Sequence, residues 1–126
     1  MMAENDGIIR VVEEFVKGVV SGYDSGHGWS HIERVVRLAL HIYDTEKRGD
    51  RLTVELGALM HDVGDHKFGA LDGPVEIRRL LGELRVDGNV INEVVKKNEK
   101  ISFSKGEHDS VKSDELMTVQ DADRLD

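Results

Sequence analysis

Apolar residues recur every three to four positions over most of this chain, and no segment alternates convincingly between apolar and polar side chains. That spacing gives a helix one apolar stripe, whereas a half-buried strand requires alternation. Glycines and the single Pro74 separate the periodic segments. The sequence therefore predicts an all-α fold, a bundle of about six helices.

The helix ends are marked by capping residues and by glycine. Ser30 followed by Glu33 has the pattern of a capping box and predicts the start of the second helix. The third helix is apolar on every side, which is typical of a helix at the centre of a core. No capping residue closes the last helix, so we expect a chain truncated at its C-terminus, with part of the core missing. The first three predicted helices are Asp6 to Val20, Ser30 to Lys47 and Thr53 to Asp62. The fourth begins around Pro74, and the fifth follows a break at Asp87–Asn89. The last helix runs from about Ser113 to Asp126.

Charge and composition exclude several classes of protein. Lys and Arg total 17 against 25 Asp and Glu, a net charge of −8. This charge disfavours binding to duplex nucleic acid and to anionic membranes. No apolar run approaches the ~20 residues of a spanning helix, and no signal peptide is evident, so we expect a cytoplasmic protein. The 126 residues suit a single domain, 1–126, and the absence of cysteine leaves only imidazoles and carboxylates as strong metal ligands.

Helical phase predicts which histidines face the core. His31 is in line with Val35, Leu38 and Ile42 on the second helix, so its imidazole points inward. Glu33, Arg37 and His41 fall on the opposite face of that helix. By itself, His31 would be interpreted as a hydrogen-bonded core histidine.

The third helix ends in an adjacent His61–Asp62 pair. One turn earlier, Gly57 and Ala58 are small, and we expect them to leave room for an ion or a ligand. A buried carboxylate without a partner is strongly unfavourable, and a divalent cation removes that penalty.

The last helix carries two candidate acids. Asp123 shares the apolar stripe marked by Leu116 and Val119, whereas Asp121 falls on the opposite face. The phase separates the two acids only narrowly. Together His31, His61, Asp62 and Asp123 predict a mixed nitrogen and oxygen site for one divalent ion: Mn, Fe(II), Co, Ni or Zn, with Mg suited less well. A buried polar network without metal is the alternative.

Three segments around these residues resemble the HD superfamily of metal-dependent phosphohydrolases, whose pattern is a His, an adjacent His-Asp and a distant Asp. The segments are WSHIERV around His31, LMHDVGDHK around His61 and Asp62, and VQDADRLD around Asp123. Together with ISFSKG, they look like small bacterial and archaeal HD hydrolases related to nucleotide pyrophosphohydrolases, over 23–126. The resemblance implies an HD-domain helical bundle with these four residues as metal ligands. It also implies further C-terminal helices, and we expect those helices to be absent from this chain.

Four more residues are candidates for binding a phosphate or for assisting its hydrolysis. Lys67, in the loop after the third helix, can neutralise a phosphate, and Asp65 can orient Lys67 or act as a base on the attacking water. His27, in the glycine-rich loop, and Arg34, one turn beyond His31, can contact phosphate. The alternative is a solvated loop pair for Asp65 and Lys67, a surface loop histidine for His27, and pairing with an acid for Arg34.

These observations predict a metal-dependent phosphohydrolase in which a metal-activated water attacks a phosphate ester or anhydride. The expected partner is a small phosphorylated substrate, a nucleotide, cleaved by a pyrophosphohydrolase or phosphatase reaction. The alternatives are a phosphodiesterase of cyclic or signalling nucleotides, a metal-bearing nucleotide-sensing or interaction module without turnover, and a structural bundle. Assembly into a homo-oligomer is left open.

Overall fold

Helices account for nearly all of the chain that the computed structural model describes, namely residues 2–21, 28–46, 49–63, 72–102, 118, 119, 122, 124 and 125. The all-α prediction is confirmed, since these residues contain helices and no strand. Residues 118, 119, 122, 124 and 125 are helical too, within the last predicted segment. The helices are α1 (Met2–Val20), α2 (Trp29–Glu46), α3 (Arg51–Met60), α4 (Gly73–Glu83) and α5 (Gly88–Ser102).

Two helices begin at an aspartate that caps the first turn. The Asp50 carboxylate accepts hydrogen bonds from the Thr53 backbone N–H at 3.0 Å and from the Thr53 hydroxyl at 2.8 Å. The Asp72 carboxylate accepts from the Val75 N–H at 3.1 Å. Both caps place negative charge at a helix N-terminus, where it is favourable. Because Asp50 is the cap, α3 begins earlier than the predicted Thr53.

The predicted capping box at Ser30 is wrong. The first hydrogen bond of α2 runs from the Ile32 N–H to the Gly28 carbonyl at 3.2 Å, so Gly28 occupies the cap position. Ser30 lies inside the first turn and is exposed. Glycine is an accepted cap residue, and it allows α2 to start at Trp29.

Helix α3 lies at the centre of the described fold, as its sequence predicts. It contacts α1, α2 and α5. Its buried residues are Thr53, Val54, Leu56, Gly57, Ala58, Leu59 and Met60. Two clusters of buried side chains meet along α3. One joins α1, α3, α4 and α5 and includes Ile32 of α2, and the other joins α2 and α3 to Val119 and Ala122.

The buried face of α2 differs slightly from the predicted stripe. His31 and Val35 are buried as expected, together with Ile32 and Ala39. Leu38 and Ile42 are only partly buried and pack at the edge of the second cluster. None of the described helices is long and apolar enough to cross a membrane.

Candidate metal centre

The first turn of α2 and the end of α3 bring His31, His61 and Asp62 together. The Asp62 carboxylate lies between the imidazoles, with Oδ2 3.6 Å from His31 Nε2 and Oδ1 3.5 Å from His61 Nε2. The imidazole centroids are 5.5 Å apart, and the rings are inclined at 61°. One ligand atom from each residue lies within 4.8 Å of the others. The three side chains are buried.

These distances fit a metal ion. Nitrogen and oxygen ligands bind Zn²⁺ at about 2.0–2.2 Å, so two neighbouring ligands on one ion lie about 3–4 Å apart. Both nitrogen-to-oxygen distances at Asp62 fall in that range. The donor set of imidazole and carboxylate also suits a divalent transition metal. His31, His61 and Asp62 could therefore hold one.

The His61 ring is held by its own helix. Nδ1 lies 2.7 Å from the Ala58 carbonyl oxygen, which can only accept, so Nδ1 carries the proton and donates. In this tautomer the lone pair is on Nε2, the atom that faces Asp62. A backbone carbonyl that fixes the tautomer in this way is a recurring feature of histidine ligands.

The space predicted beside Gly57 is filled, which corrects the expectation of a ligand cavity there. A Cβ built on Gly57 would lie 2.3 Å from Cδ of Lys97 and 3.5 Å from a methyl group of Val119. Lys97 is 0% exposed, and its ammonium lies 3.7 Å from the Glu93 carboxylate. Ala58 is buried in the second cluster. Because Gly57 has no side chain, the aliphatic stem of Lys97 from α5 packs directly against the backbone of α3.

Asn98 of α5 is a residue near the site that the sequence analysis missed. Its amide donates to the carbonyls of Met60, His61 and Val63, at 3.0, 3.3 and 2.9 Å. A signal for it exists in the sequence, because Asn98 continues the apolar stripe of Val94 and Val95 at helical spacing. An amide on an inward stripe must find buried partners.

The other predicted site residues are only partly described. Arg34 is exposed on α2, one turn after His31. His27, Asp65, Lys67 and Asp123 lie outside the described residues, as does Asp121, the alternative to Asp123. In the last segment, Thr118, Val119 and Ala122 are the buried residues that the structure describes.

A known family matches the part of the chain that carries His31, His61 and Asp62. The pattern of the HD domain family matches residues 28–126. The chain belongs to this family. The HD-domain fold and the resemblance predicted from the motif segments are therefore confirmed.

The chain matches its relatives over only part of their length. YpgQ of Bacillus subtilis (strain 168), an uncharacterized protein, is 34% identical over 125 residues, which cover 91% of this chain and 58% of YpgQ. The crystal structure of YpgQ in complex with ADP is 30% identical with a TM-score of 0.78, and the match covers 97% of this chain and 59% of that one. An HD-superfamily hydrolase from Bacillus thuringiensis is 31% identical with a TM-score of 0.76, and the match covers 96% and 58%. The chain thus spans less than two thirds of each relative.

Proposed function

We propose that this HD-domain protein is a metal-dependent phosphohydrolase that acts on a nucleotide. The observation that carries the proposal is the buried Asp62 carboxylate, which lies 3.6 Å from one imidazole and 3.5 Å from another. Membership of the HD family and the hydrolase description of the Bacillus thuringiensis relative support it. The ADP bound to YpgQ supports a nucleotide as the substrate.

In this proposal His31, His61, Asp62 and Asp123 hold one divalent ion, with Asp121 as the alternative fourth ligand. When bound, such an ion lowers the pKa of a coordinated water and polarises a phosphoryl oxygen. The Ala58 carbonyl keeps the His61 ring in the tautomer whose Nε2 can coordinate. The Asp62 carboxylate supplies a negative charge that a cation compensates.

The remaining roles belong to groups that handle phosphate charge and protons. Arg34 is exposed on the helix that carries His31, and it is proposed to bind a phosphate. Lys67 and His27 are proposed to bind phosphate as well. Asp65 is proposed to orient Lys67 or to accept a proton from the attacking water. The net charge of −8 does not oppose this function, because a bound cation makes its surroundings locally positive.

One alternative has an observation in its favour. A nucleotide-binding module without turnover would also bind ADP, as YpgQ does. The two functions differ in whether product is released while metal and nucleotide are bound.

The test combines metal analysis with hydrolysis. The 126-residue chain is purified without chelators, its metal content is measured, and release of phosphate or pyrophosphate from a panel of nucleotides is followed with added Mn²⁺. We expect about one ion per chain and turnover of at least one nucleotide. Asp62→Asn should lose both, and Asp44→Asn, a matched change at an exposed site on α2, should keep both.

Each result is decisive. Full metal content and turnover in Asp62→Asn would overturn the site. Nucleotide binding without product in the wild type would favour the module. Release of pyrophosphate would indicate a pyrophosphohydrolase, and release of phosphate alone would indicate a phosphatase.

A further inference from the structure

The end of α3 controls where the proposed metal ligands point. The helix ends at Met60, and His61 and Asp62 follow directly in the turn. The last carbonyls of a helix have no partner within the helix, so something else must fix them. Within the turn itself, the Val63 N–H donates to the Met60 carbonyl at 3.1 Å. The Ala58 carbonyl is bonded to the His61 ring, and other carbonyls at this helix end accept from a group outside α3.

The side-chain amide of Asn98, on α5, is this group. Its side-chain nitrogen is within hydrogen-bond distance of the Met60, His61 and Val63 carbonyls, at 3.0, 3.3 and 2.9 Å. An amide nitrogen carries only two hydrogens, so these three contacts share them. Asn98 is 5% exposed, so water competes little for the amide. One side chain thus contacts the backbone on both sides of Asp62.

The other side of the Asn98 amide is enclosed by the start of α4. A Cβ on Gly73 would lie 2.4 Å from the Val63 carbonyl oxygen and 2.7 Å from Asn98 Oδ1. Only glycine lets α4 approach this closely. The amide is therefore confined between the end of α3 and the first residue of α4, and it has little freedom to move away.

The residue before Asn98 also anchors α5 to α3. The Lys97 stem lies in the space left by Gly57, one turn before His61. Two consecutive side chains of α5 thus contact α3, one along the helix and one at its end. These two contacts fix the position of α5 relative to His61 and Asp62.

We propose that Asn98 is a positioning residue for the metal centre, whose amide holds the α3 terminus so that His61 and Asp62 converge with His31. The inference rests on the proposed metal site. Partners that orient metal ligands without touching the ion commonly contribute about 10–100-fold to metal affinity. A residue that only stabilised the fold would change the unfolding temperature and leave the affinity of the folded protein unaltered.

The test compares three variants of α5 in the 126-residue chain by Co²⁺ titration, visible absorption of the Co²⁺ form and thermal unfolding without metal. Asn98→Ala should bind Co²⁺ at least about tenfold more weakly and give an altered Co²⁺ spectrum. Val94→Ala removes methyl groups from a fully buried position on the same helix, so it should unfold at a lower temperature and keep the wild-type affinity. Asn92→Ala removes an exposed amide that is bonded to Arg78, and it should leave both the affinity and the spectrum unchanged.

The outcomes separate the two proposals. If the wild type binds no Co²⁺, the metal site and this inference both fail. If the wild type binds and Asn98→Ala binds equally tightly with the same spectrum, only the positioning role is overturned. Should Asn98→Ala not fold, Asn98→Ser carries the same comparison, since its hydroxyl can donate to only one carbonyl. Unchanged affinity in that variant also overturns the role.

Discussion

Asp62 is the residue that connects the two histidines, and its charge distinguishes a cation site from a hydrogen-bonded core. Each of its oxygens faces a different imidazole nitrogen. Two neutral imidazoles alone would form an ordinary buried polar contact. With a carboxylate between them, the cluster has the donors and the negative charge that a divalent ion requires.

His31 and His41 offer a matched comparison on α2, because one imidazole is buried in the cluster and the other is exposed. We expect His31→Ala to weaken Co²⁺ binding by more than about 100-fold, since it removes a ligand rather than a partner of a ligand. His41→Ala should leave the affinity at the wild-type value. Isothermal titration of both variants checks the prediction, and equal affinities would exclude His31 as a ligand.

Glu55 gives a prediction about pH that is independent of the metal. Burial raises the pKa of Glu55 above its usual 4.5; the neighbouring Arg51 lowers it, and Glu13 and Asp6 raise it further. Because the pKa is higher in the folded than in the unfolded chain, ionised Glu55 reduces stability above the raised pKa. That cost disappears as the pH falls through the raised pKa to below 4.5.

We therefore expect Glu55→Gln to unfold at a higher temperature than the wild type at neutral pH. The difference should shrink as the pH falls through the raised pKa of Glu55 and vanish below 4.5. Thermal unfolding across this range measures it, with the exposed Glu14→Gln as the control. If both substitutions changed the unfolding temperature equally at every pH, burial of Glu55 would not be the cause of the effect.

At the scale of the helices, the sequence predicts which helices form and which faces of them are buried. It predicts less well where a helix begins and which side chains pack against it. The spacing of apolar residues predicts α1 to α5, and the helical phase predicts that His31 points inward, because both depend on local periodicity. The start of α2 is misjudged, because Gly28 and Ser30 are both acceptable caps and the sequence does not rank them. The role of Gly57 is misjudged, because spacing identifies a small residue and not the side chain that fills its space.

The partners of Lys97 and Asn98 could not be predicted from the sequence for a related reason, although the helical spacing does indicate that Asn98 faces inward. Lysine is rarely buried, so a lysine within a helix is interpreted as solvated unless a tertiary partner is known. The partners of both residues lie on α3, far away along the chain. Asp123 lies outside the described residues, so its assignment as a ligand stays a prediction.

The contact between α3 and α5 through Gly57 can be tested by adding one methyl group. Gly57→Ala would place a Cβ against the buried Lys97 stem, and we expect it to destabilise the fold by about 1–3 kcal/mol. Gly18→Ala in α1 meets nothing within 4 Å, so it should stabilise by about 0.5–1 kcal/mol through helix propensity. Chemical denaturation measures both. Stabilisation by Gly57→Ala would show that Lys97 moves aside at little cost.

For the whole molecule, the proposed cation would act as a cross-link. His31 lies at the start of α2 and Asp62 follows the end of α3, so one ion would tie two helices at a point where a carboxylate and two imidazoles are already buried together. The chain carries a net charge of −8, and a divalent cation would reduce that excess at a carboxylate that is buried. Binding to the folded state should therefore raise global stability.

The size of this effect follows from the binding equilibrium. A free metal concentration about 100 times Kd should stabilise the folded chain by about 2.7 kcal/mol, because the unfolded chain has no assembled site. For a domain of this size, that corresponds to a rise in the unfolding temperature of about 10 °C. Thermal scans with increasing Co²⁺ or Mn²⁺ measure the rise, and excess chelator should reverse it. Asp62→Asn should show no rise, whereas Asp44→Asn should match the wild type; an equal rise in Asp62→Asn would mean that the metal stabilises the chain from some other place.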